Sequence, residues 1–476
     1  MTRDPLWSAL GLVAPLNARV SGGLPEQGIN GVSIDTRTLK QDDLFVAIRG
    51  ENSDGHDYVR AAFEKGAAAA VVDEAHAQGL MGEGPLYVVK DTLAALEGLG
   101  RAARARSKAR IVAVTGSVGK TTTKELLRAV LSGVGKTHAS VASYNNHWGV
   151  PLSLARMPAT ARYGVFEIGM NHPGEITPLV GMVQPHVAII TRIAPVHLEH
   201  FASIEAIADA KAEIFSGLVK GGVAVLNRDD AQFERLNNAA RESQARFVLS
   251  FGESEGAEAR LLSCHVIGEK SRVTARALGR DLGYTIGAPG RHVALNSLAV
   301  LLAARAVGLD FEATARGFAA FAPPSGRGQR EVLRAPDGEF ILIDESYNAN
   351  PASMQAALDL LGEASGVRRI AVLGDMLELG PQAEYLHAAH VADIERNGID
   401  LVFAAGPLMR ALYDAIPPSR RGAYAPSADA LEPYVVDGLR AGDVVMIKGS
   451  HGSRMGSIVT ALRKHFTVNI DAPAQG

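Results

Sequence analysis

The chain of 476 residues has a single cysteine, Cys264. One thiol excludes an intramolecular disulfide and a cysteine metal cluster and suits a reducing compartment; Cys264 itself reads as a small buried hydrophobe. An excess of charge is also missing. Lys and Arg number 48 against 51 Asp and Glu, a net of −3, and no basic cluster marks a nucleic-acid partner. The N-terminus MTRDPLWSALGLV lacks a basic segment followed by a sustained apolar core, so it does not read as a secretory signal. The longest apolar tract, residues 293–309, carries Asn296 and Arg305 and reads as a core helix rather than a membrane span. A monomeric cytoplasmic protein with no nucleic-acid partner is expected.

What is present begins with IVAVTGSVGKTTTKELL, residues 111–127. It reads as a buried strand, a glycine turn and a helix opening on Lys120 and Thr121. Such a turn cradles polyphosphate oxygens with its backbone N–H groups, a lysine reaches the terminal phosphates and a Thr hydroxyl holds Mg²⁺. Gly116, Ser117, Val118, Gly119, Lys120, Thr121 and Thr122 are therefore the expected ATP-binding residues. The motif is a compact GxxGKT, since Val114 stands where the longer form has its first glycine.

At about 150 residues per domain the length suits three domains. Residues 1–108 mix short strands (LFVAI, AAAVVDE, LYVVKD) with a helix, HDYVRAAFEKG, and read as a small α/β domain. The Arg-rich 101–110 reads as an amphipathic helix at the first boundary. From 109 to 322, IVAVT, RYGVFEIG, HVAIITRI and GVAVLN alternate with helical segments, the pattern of a mostly parallel sheet. Within that span RVTARAL and LGYTIGA, joined by a Gly-Arg-Asp turn, read as an appended small antiparallel sheet, and a long helix pair closes the domain. APPSGRGQ reads as a linker. Residues 323–476 resume strand-helix alternation, with DESYNANP, GDMLELG and KGSHGSRM each after a strand, where open α/β sheets place ligand sites.

Several polar residues fall near the phosphate loop in this layout. Glu167 ends a strand and suits a Mg²⁺ ligand. His197, with Glu199 and His200 nearby, follows another strand; HxxH without cysteines is a weak zinc signal, so zinc is not expected. Lys211 lies in a helix whose apolar side is Ile207, Ile214, Phe215 and Leu218, and pattern alone favours a salt-bridging surface lysine. Asn145 and Asn146, in SYNNHWGVP, suit a bland loop and a substrate-holding amide pair equally.

TGSVGKTTTKE, NNHWGVP, FEIGMNHPGEI, HLEHF, AKAEIF, GRHVALNSLAV, DESYNANPAS, GDMLELG and KGSHGSRM together resemble the Mur ligases of peptidoglycan synthesis, over most of the chain. SIDTRTLKQDDLFVAIRGENSDGHDYV and DESYNANP are similar to the members that add D-alanyl-D-alanine to UDP-MurNAc-tripeptide. A DNPR-like motif, the mark of the third-residue-adding type, is missing. The resemblance implies an N-terminal domain for the UDP end of the substrate, a central P-loop ATPase and a C-terminal Rossmann-like domain for the amine. It implies an acyl-phosphate route that consumes ATP, with Lys120, Glu167, His197 and Lys211 catalytic. Thr121, Glu167, His197 and a carbamylated Lys211 would hold two Mg²⁺ ions. An unmodified lysine ammonium would repel the metal. By the same resemblance Asn296, Arg327 and Asp344 meet ATP. Ser33, Thr36, Arg37, Asp54, Gly55, His56, Asn145 and Asn146 meet the UDP substrate, although Asp54 also suits a helix cap. Asn348, Ala349 and Asn350 form a turn-like NANP assigned to the amine. Arg327 lies in the linker, so its use in ATP binding requires the flanking domains to close. Other family ligases, such as the folate-polyglutamylating type, and a non-catalytic nucleotide-binding regulator are the alternatives.

Overall fold

The protein is described here from a computed structural model covering residues 4–50, 53–141, 144–195, 199 and 201–468. Among these residues three sheets form in succession. The first contains β1 (Arg19–Ser21), β2 (Gly31–Ser33), β3 (Asp43–Val46), β4 (Ala69–Asp73) and β5 (Leu86–Val89) in the order β1-β5-β4-β3-β2. It is parallel except for β1. β3 and β5 are buried along their whole length, as their continuous apolar runs require of a sheet covered on both faces.

The helix Thr92–Arg106 seats this domain on the next one. Asp91 caps it, accepting from Ala94 N–H at 2.8 Å. Its small residues allow close packing: a Cβ on Gly100 would stand 3.1 Å from the Pro151 carbonyl in the helix Gly149–Ala155. Trp7 Nε1 donates to the Ala155 carbonyl (2.9 Å) and Arg156 Nε to that of Val32 (2.6 Å), fixing the contact from both sides.

The central sheet contains β6 (Arg110–Thr115), β7 (Thr137–Ala139), β8 (Tyr163–Glu167), β9 (Val187–Ile190), β10 (Gly222–Asn227), β11 (Ala245–Gly252), β12 (Ala259–Ile267), β13 (Lys270–Ala277) and β14 (Arg280–Ile286). Their order is β14-β13-β12-β11-β10-β9-β6-β8-β7. Alternate residues of β6 serve opposite cores, as strand geometry demands. Val112 and Val114 join Leu126, Leu127 and Leu298 on one face; Ile111 and Ala113 join Val180, Ile190 and Ile207 on the other. The tract expected to be a core helix is the helix Arg291–Ala306, largely buried.

The third sheet contains β15 (Gln329–Ala335), β16 (Gly338–Glu345), β17 (Arg368–Gly374), β18 (Leu401–Ala405), β19 (Arg421–Ala425), β20 (Asp443–Lys448) and β21 (Thr467–Val468), ordered β19-β18-β17-β20-β16-β15-β21. From β19 to β16 it is parallel, and β15 and β21 close it antiparallel. The fold is α/β in three domains, the last Rossmann-like.

The hairpin expected as a separate small sheet is instead the edge of the central one. β11 pairs parallel with β12, which pairs antiparallel with β13, so the ladder is continuous. Its turn falls at Leu278 and Gly279, both at positive φ (47° and 81°), while Arg280 and Asp281 already pair within β14. Two successive positive φ values match the twist of the flanking strands. Cys264, on β12, is half-buried against the core. No helix among the described residues is long and apolar enough to cross a membrane.

Candidate active site

β6 lies between β9 and β8, and the chain leaves its carboxyl end into the glycine turn. This is the crevice where open α/β sheets bind ligands. Gly116 and Gly119 take φ of 144° and 87°, conformations closed to L side chains, and a Cβ on Gly119 would stand 2.9 Å from Asn296 Oδ1. The turn is pinned from beneath: Ser117 N–H donates to the Arg192 carbonyl (2.7 Å), Ser117 Oγ to that of Ala194 (3.0 Å), and Thr191 Oγ1 to that of Thr115 (3.2 Å). Lys120 Nζ folds over the turn and donates to the Gly116 carbonyl at 2.7 Å. Burial lowers the pKa of Lys120, the Glu167 carboxylate opposes this, and Arg327 adds to it. An arriving polyphosphate would favour the charged form.

Glu167 is 1% exposed at the end of β8. Its Oε2 accepts from Thr121 Oγ1 and its Oε1 from Asn145 Nδ2, both at 2.8 Å. Asn145 thus belongs beside the phosphate loop, whereas Asn146 Oδ1 accepts from Gly149 N–H (2.9 Å) at the start of the helix Gly149–Ala155. Lys211, expected on pattern alone at the surface, is 1% exposed in the helix Ile204–Ala212. Burial, and secondarily the charge of Lys120, hold its amine well below the usual lysine range. His197 and His200 lie outside the described residues, and Glu199 is exposed in a turn.

The turn from Ser117 to Thr122, with Asn145 and Glu167, lines a cavity of about 340 Å³ that central and third domains share; Lys211 and Asn146 are not on its wall. The central domain adds Asn296 and His292, whose pKa burial lowers. Arg327 enters from the linker, its guanidinium 4.3 Å from the Tyr347 ring centroid. From the third domain come Glu345, Asn348, Asn350 and Lys448. Lys448 is 2% exposed, 3.4 Å from Glu345 Oε2, and donates to the Asn348 carbonyl at 3.0 Å. Burial lowers its pKa against the pull of Glu345.

Glu345, Lys448, His292 and Tyr347 escaped the sequence reading of single residues, although Glu345, Tyr347 and Lys448 lie in the loops it marked. Asp344 does not line this cavity; its neighbour Glu345 does. The Asp344 carboxylate instead accepts from Gly326 N–H (3.0 Å), Ser325 Oγ (3.3 Å), Ser346 Oγ (2.6 Å) and Arg463 (3.3 Å). Within NANP, Asn350 is the N-cap of the helix Pro351–Gly362, in a capping box with Ser353, and Ala349 is buried.

In the first domain Ser33 is fully buried and accepts from Asp35 N–H (3.3 Å). The Thr36 carbonyl accepts from Lys65 Nζ (2.9 Å), and Arg37 extends into solvent in a pair with Asp35. Asp54 caps the turn Gly55–Tyr58, accepting from His56 N–H at 3.0 Å. His56 also meets Asp54 Oδ1 through Nδ1 (2.5 Å), accepts from Asp73 N–H through Nε2 (3.0 Å) and stacks on His76 at 4.0 Å. A Cβ on Gly55 would stand 2.7 Å from the Ile48 backbone, so the close approach of those two segments requires glycine. None of these residues lines the phosphate-loop cavity.

A phosphate loop, a buried carboxylate and a third-domain lysine around one cavity define a nucleotide-using enzyme, and comparison places the chain in a family. Residues 28–129 match the Mur ligase family catalytic domain, 114–304 the Mur ligase middle domain and 329–451 the Mur ligase glutamate ligase domain. The chain belongs to the Mur ligase family. Within it, the chain is 32% identical over 454 residues to the UDP-N-acetylmuramoyl-tripeptide--D-alanyl-D-alanine ligase of Rickettsia prowazekii, covering 95% of this chain and 99% of that protein. It is 33% identical to the Escherichia coli protein of the same name, over 95% and 97%. Among solved structures, MurF from Acinetobacter baumannii superposes with a TM-score of 0.83 at 28% identity, over 96% of this chain and 99% of that one.

Proposed function

We propose that the chain is an ATP-dependent amide ligase that joins D-alanyl-D-alanine to UDP-MurNAc-tripeptide, releasing ADP and phosphate. The observation that carries this reading is the single cavity in which Lys120 and Glu167 face Glu345 and Lys448 across the domain seam. A carboxylate is a poor electrophile with no adequate leaving group, so ATP must first activate it. A tripeptide carboxylate oxygen attacks the γ-phosphorus and the bond to ADP breaks. The dipeptide amine then attacks the carbonyl carbon of the acyl phosphate, phosphate leaves and the nitrogen loses a proton.

The first step sets one anion against another and the second expels an anion, and both call for fixed positive charge and alignment. Lys120 over the glycine turn, Arg327 and Lys448 are cations on the cavity wall suited to that work, and Arg192 lines the same wall. Phosphate loop and third domain enclose the acyl phosphate, which excludes competing water. The first domain, with Ser33, Thr36, Arg37, Asp54, Gly55 and His56, takes the UDP end of the acceptor; Arg37 alone among these offers an exposed cation for a diphosphate.

The donor set fits magnesium. Glu167 offers two carboxylate oxygens bonded to neutral donors, and the Thr121 hydroxyl adjoins it. Thr121, Glu167, His197 and a carbamylated Lys211 would hold the two ions, whose chemistry is neutralisation of phosphate charge. Burial favours the neutral form of the Lys211 amine, and the neutral amine is the form that adds to carbon dioxide. The nitrogen bonds the carbon, a proton leaves, and an anionic carbamate replaces the neutral amine.

Purified protein with UDP-MurNAc-tripeptide, D-Ala-D-Ala and MgATP should release phosphate only when all three are present. Release that ignores the dipeptide, or that needs a different amine, would sink the reading. Lys211→Ala should abolish turnover, with partial recovery in the presence of a short carboxylic acid.

A further inference from the structure

The loop KGSHGSRM, after β20, bears on two clefts at the carboxyl ends of the third domain's strands. One is bounded by Ser325, Asp344, His451 and Arg463 and adjoins the nucleotide cavity through Gly326 and Tyr347. The other lies among the loops after β17, β18, β19 and β20, bounded by Asp375, Gly406, Ser427 and Ser453. Arg454 stands on both walls. Its backbone is left-handed (φ 57°, ψ 25°), a strained conformation for a residue with a side chain, and one that clusters at ligand sites.

The charge around these clefts is otherwise spoken for. Arg463 is held by Glu331 and Asp344, and Lys448 by Glu345 and the Asn348 carbonyl. His451 lies against the Tyr347 ring at 5.7 Å. The exposed Arg454 guanidinium has no hydrogen bond or ion pair among the described residues. The acid on the same walls, Asp429, accepts from the Ser457 hydroxyl at 3.1 Å.

We propose that Arg454 binds the C-terminal carboxylate of the incoming dipeptide, an assignment that rests on the ligase reading above. A dipeptide is a zwitterion. Its amine has to reach the acyl phosphate in the nucleotide cavity, so its carboxylate must lie one peptide unit further out, on the side where the first cleft adjoins that cavity. A guanidinium is the group that grips a carboxylate through two parallel N–H bonds. Asp429 makes the same wall hostile to an anion once Arg454 is gone. Selection of the dipeptide over neutral amines then resides in one side chain remote from the phosphate loop.

The test compares D-Ala-D-Ala with D-alanyl-D-alaninamide, whose C-terminus carries no charge, in the phosphate-release assay. Wild type should use the amide about tenfold or more less efficiently. Arg454→Gln should raise KM for D-Ala-D-Ala about 10- to 100-fold and remove that discrimination, with kcat and the KM values for ATP and UDP-MurNAc-tripeptide little changed. Arg454→Lys should keep part of it. An unchanged dipeptide KM in Arg454→Gln, or discrimination equal to wild type, overturns the assignment. Equal loss in the Gln and Lys variants, with KM for every substrate unchanged and kcat reduced, also overturns it. Wild-type release independent of the dipeptide would remove the ligase reading itself, and this assignment with it.

Discussion

Lys211 shows what a single residue can hide. Read alone, a lysine in an amphipathic helix belongs at the surface, yet it stands four residues after Ile207 and three, four and seven before Ile214, Phe215 and Leu218. Helical spacing sets it inside the apolar stripe, and there it is buried. The spacing carried the signal, and residue type outweighed it. Glu167 was legible from its place at a strand end; its two donors were not, because Asn145 reaches it from 22 residues away in the chain. Glu167→Gln keeps the shape but puts an amide beside the amide of Asn145 and removes the charge. Turnover should fall about 10²- to 10³-fold with the thermal midpoint nearly unchanged, and steady-state kinetics beside a melting curve checks it.

At the scale of elements, long apolar strands and helices were readable and short or half-exposed ones were not. β7 is three residues long, and β11 opens with exposed positions before it becomes buried; neither has a run that stands out from loop. The hairpin β13-β14 was found, but membership of a sheet depends on partners supplied by β11 and β12, which no local pattern contains. Within the NANP turn Asn348 and Asn350 both line the nucleotide cavity, and Asn350 also caps a helix with Ser353. Asn350→Ala should therefore cost about 1 kcal/mol of stability, seen as a lower urea midpoint, while Asn350→Asp, still a good cap, should restore it. A dipeptide KM that rises in both variants would instead tie Asn350 to substrate.

For the whole molecule, three sheets could be inferred from alternating patterns, but the seam where the nucleotide cavity forms could not, since its walls are up to 331 residues apart in sequence, from Ser117 to Lys448. The molecule should also be acid-sensitive. Burial pushes His138 and His186 down to about 4, while an unfolded imidazole titrates near ~6.5. Between those values the unfolded chain binds more protons than the folded one, so stability rises with pH across the window. The contribution is complete above about 6.5 and is lost as pH falls toward 4. Urea midpoints taken from pH 7.5 to 5 should decline, and His138→Gln should flatten the slope.

Asp344 has a mechanical consequence. Its carboxylate joins the linker at Ser325 and Gly326 to the helix Gly456–His465 through Arg463, so Arg327 rides with the third domain and not with the domain that holds the phosphate loop. Affinity for ATP becomes a gauge of where the third domain stands. Arg463→Met, remote from the nucleotide cavity, should weaken ATP binding several-fold by calorimetry and leave a bare phosphate-loop ligand such as pyrophosphate unaffected. The linker thus works as a lever arm, and substrates that never touch each other share one hinge.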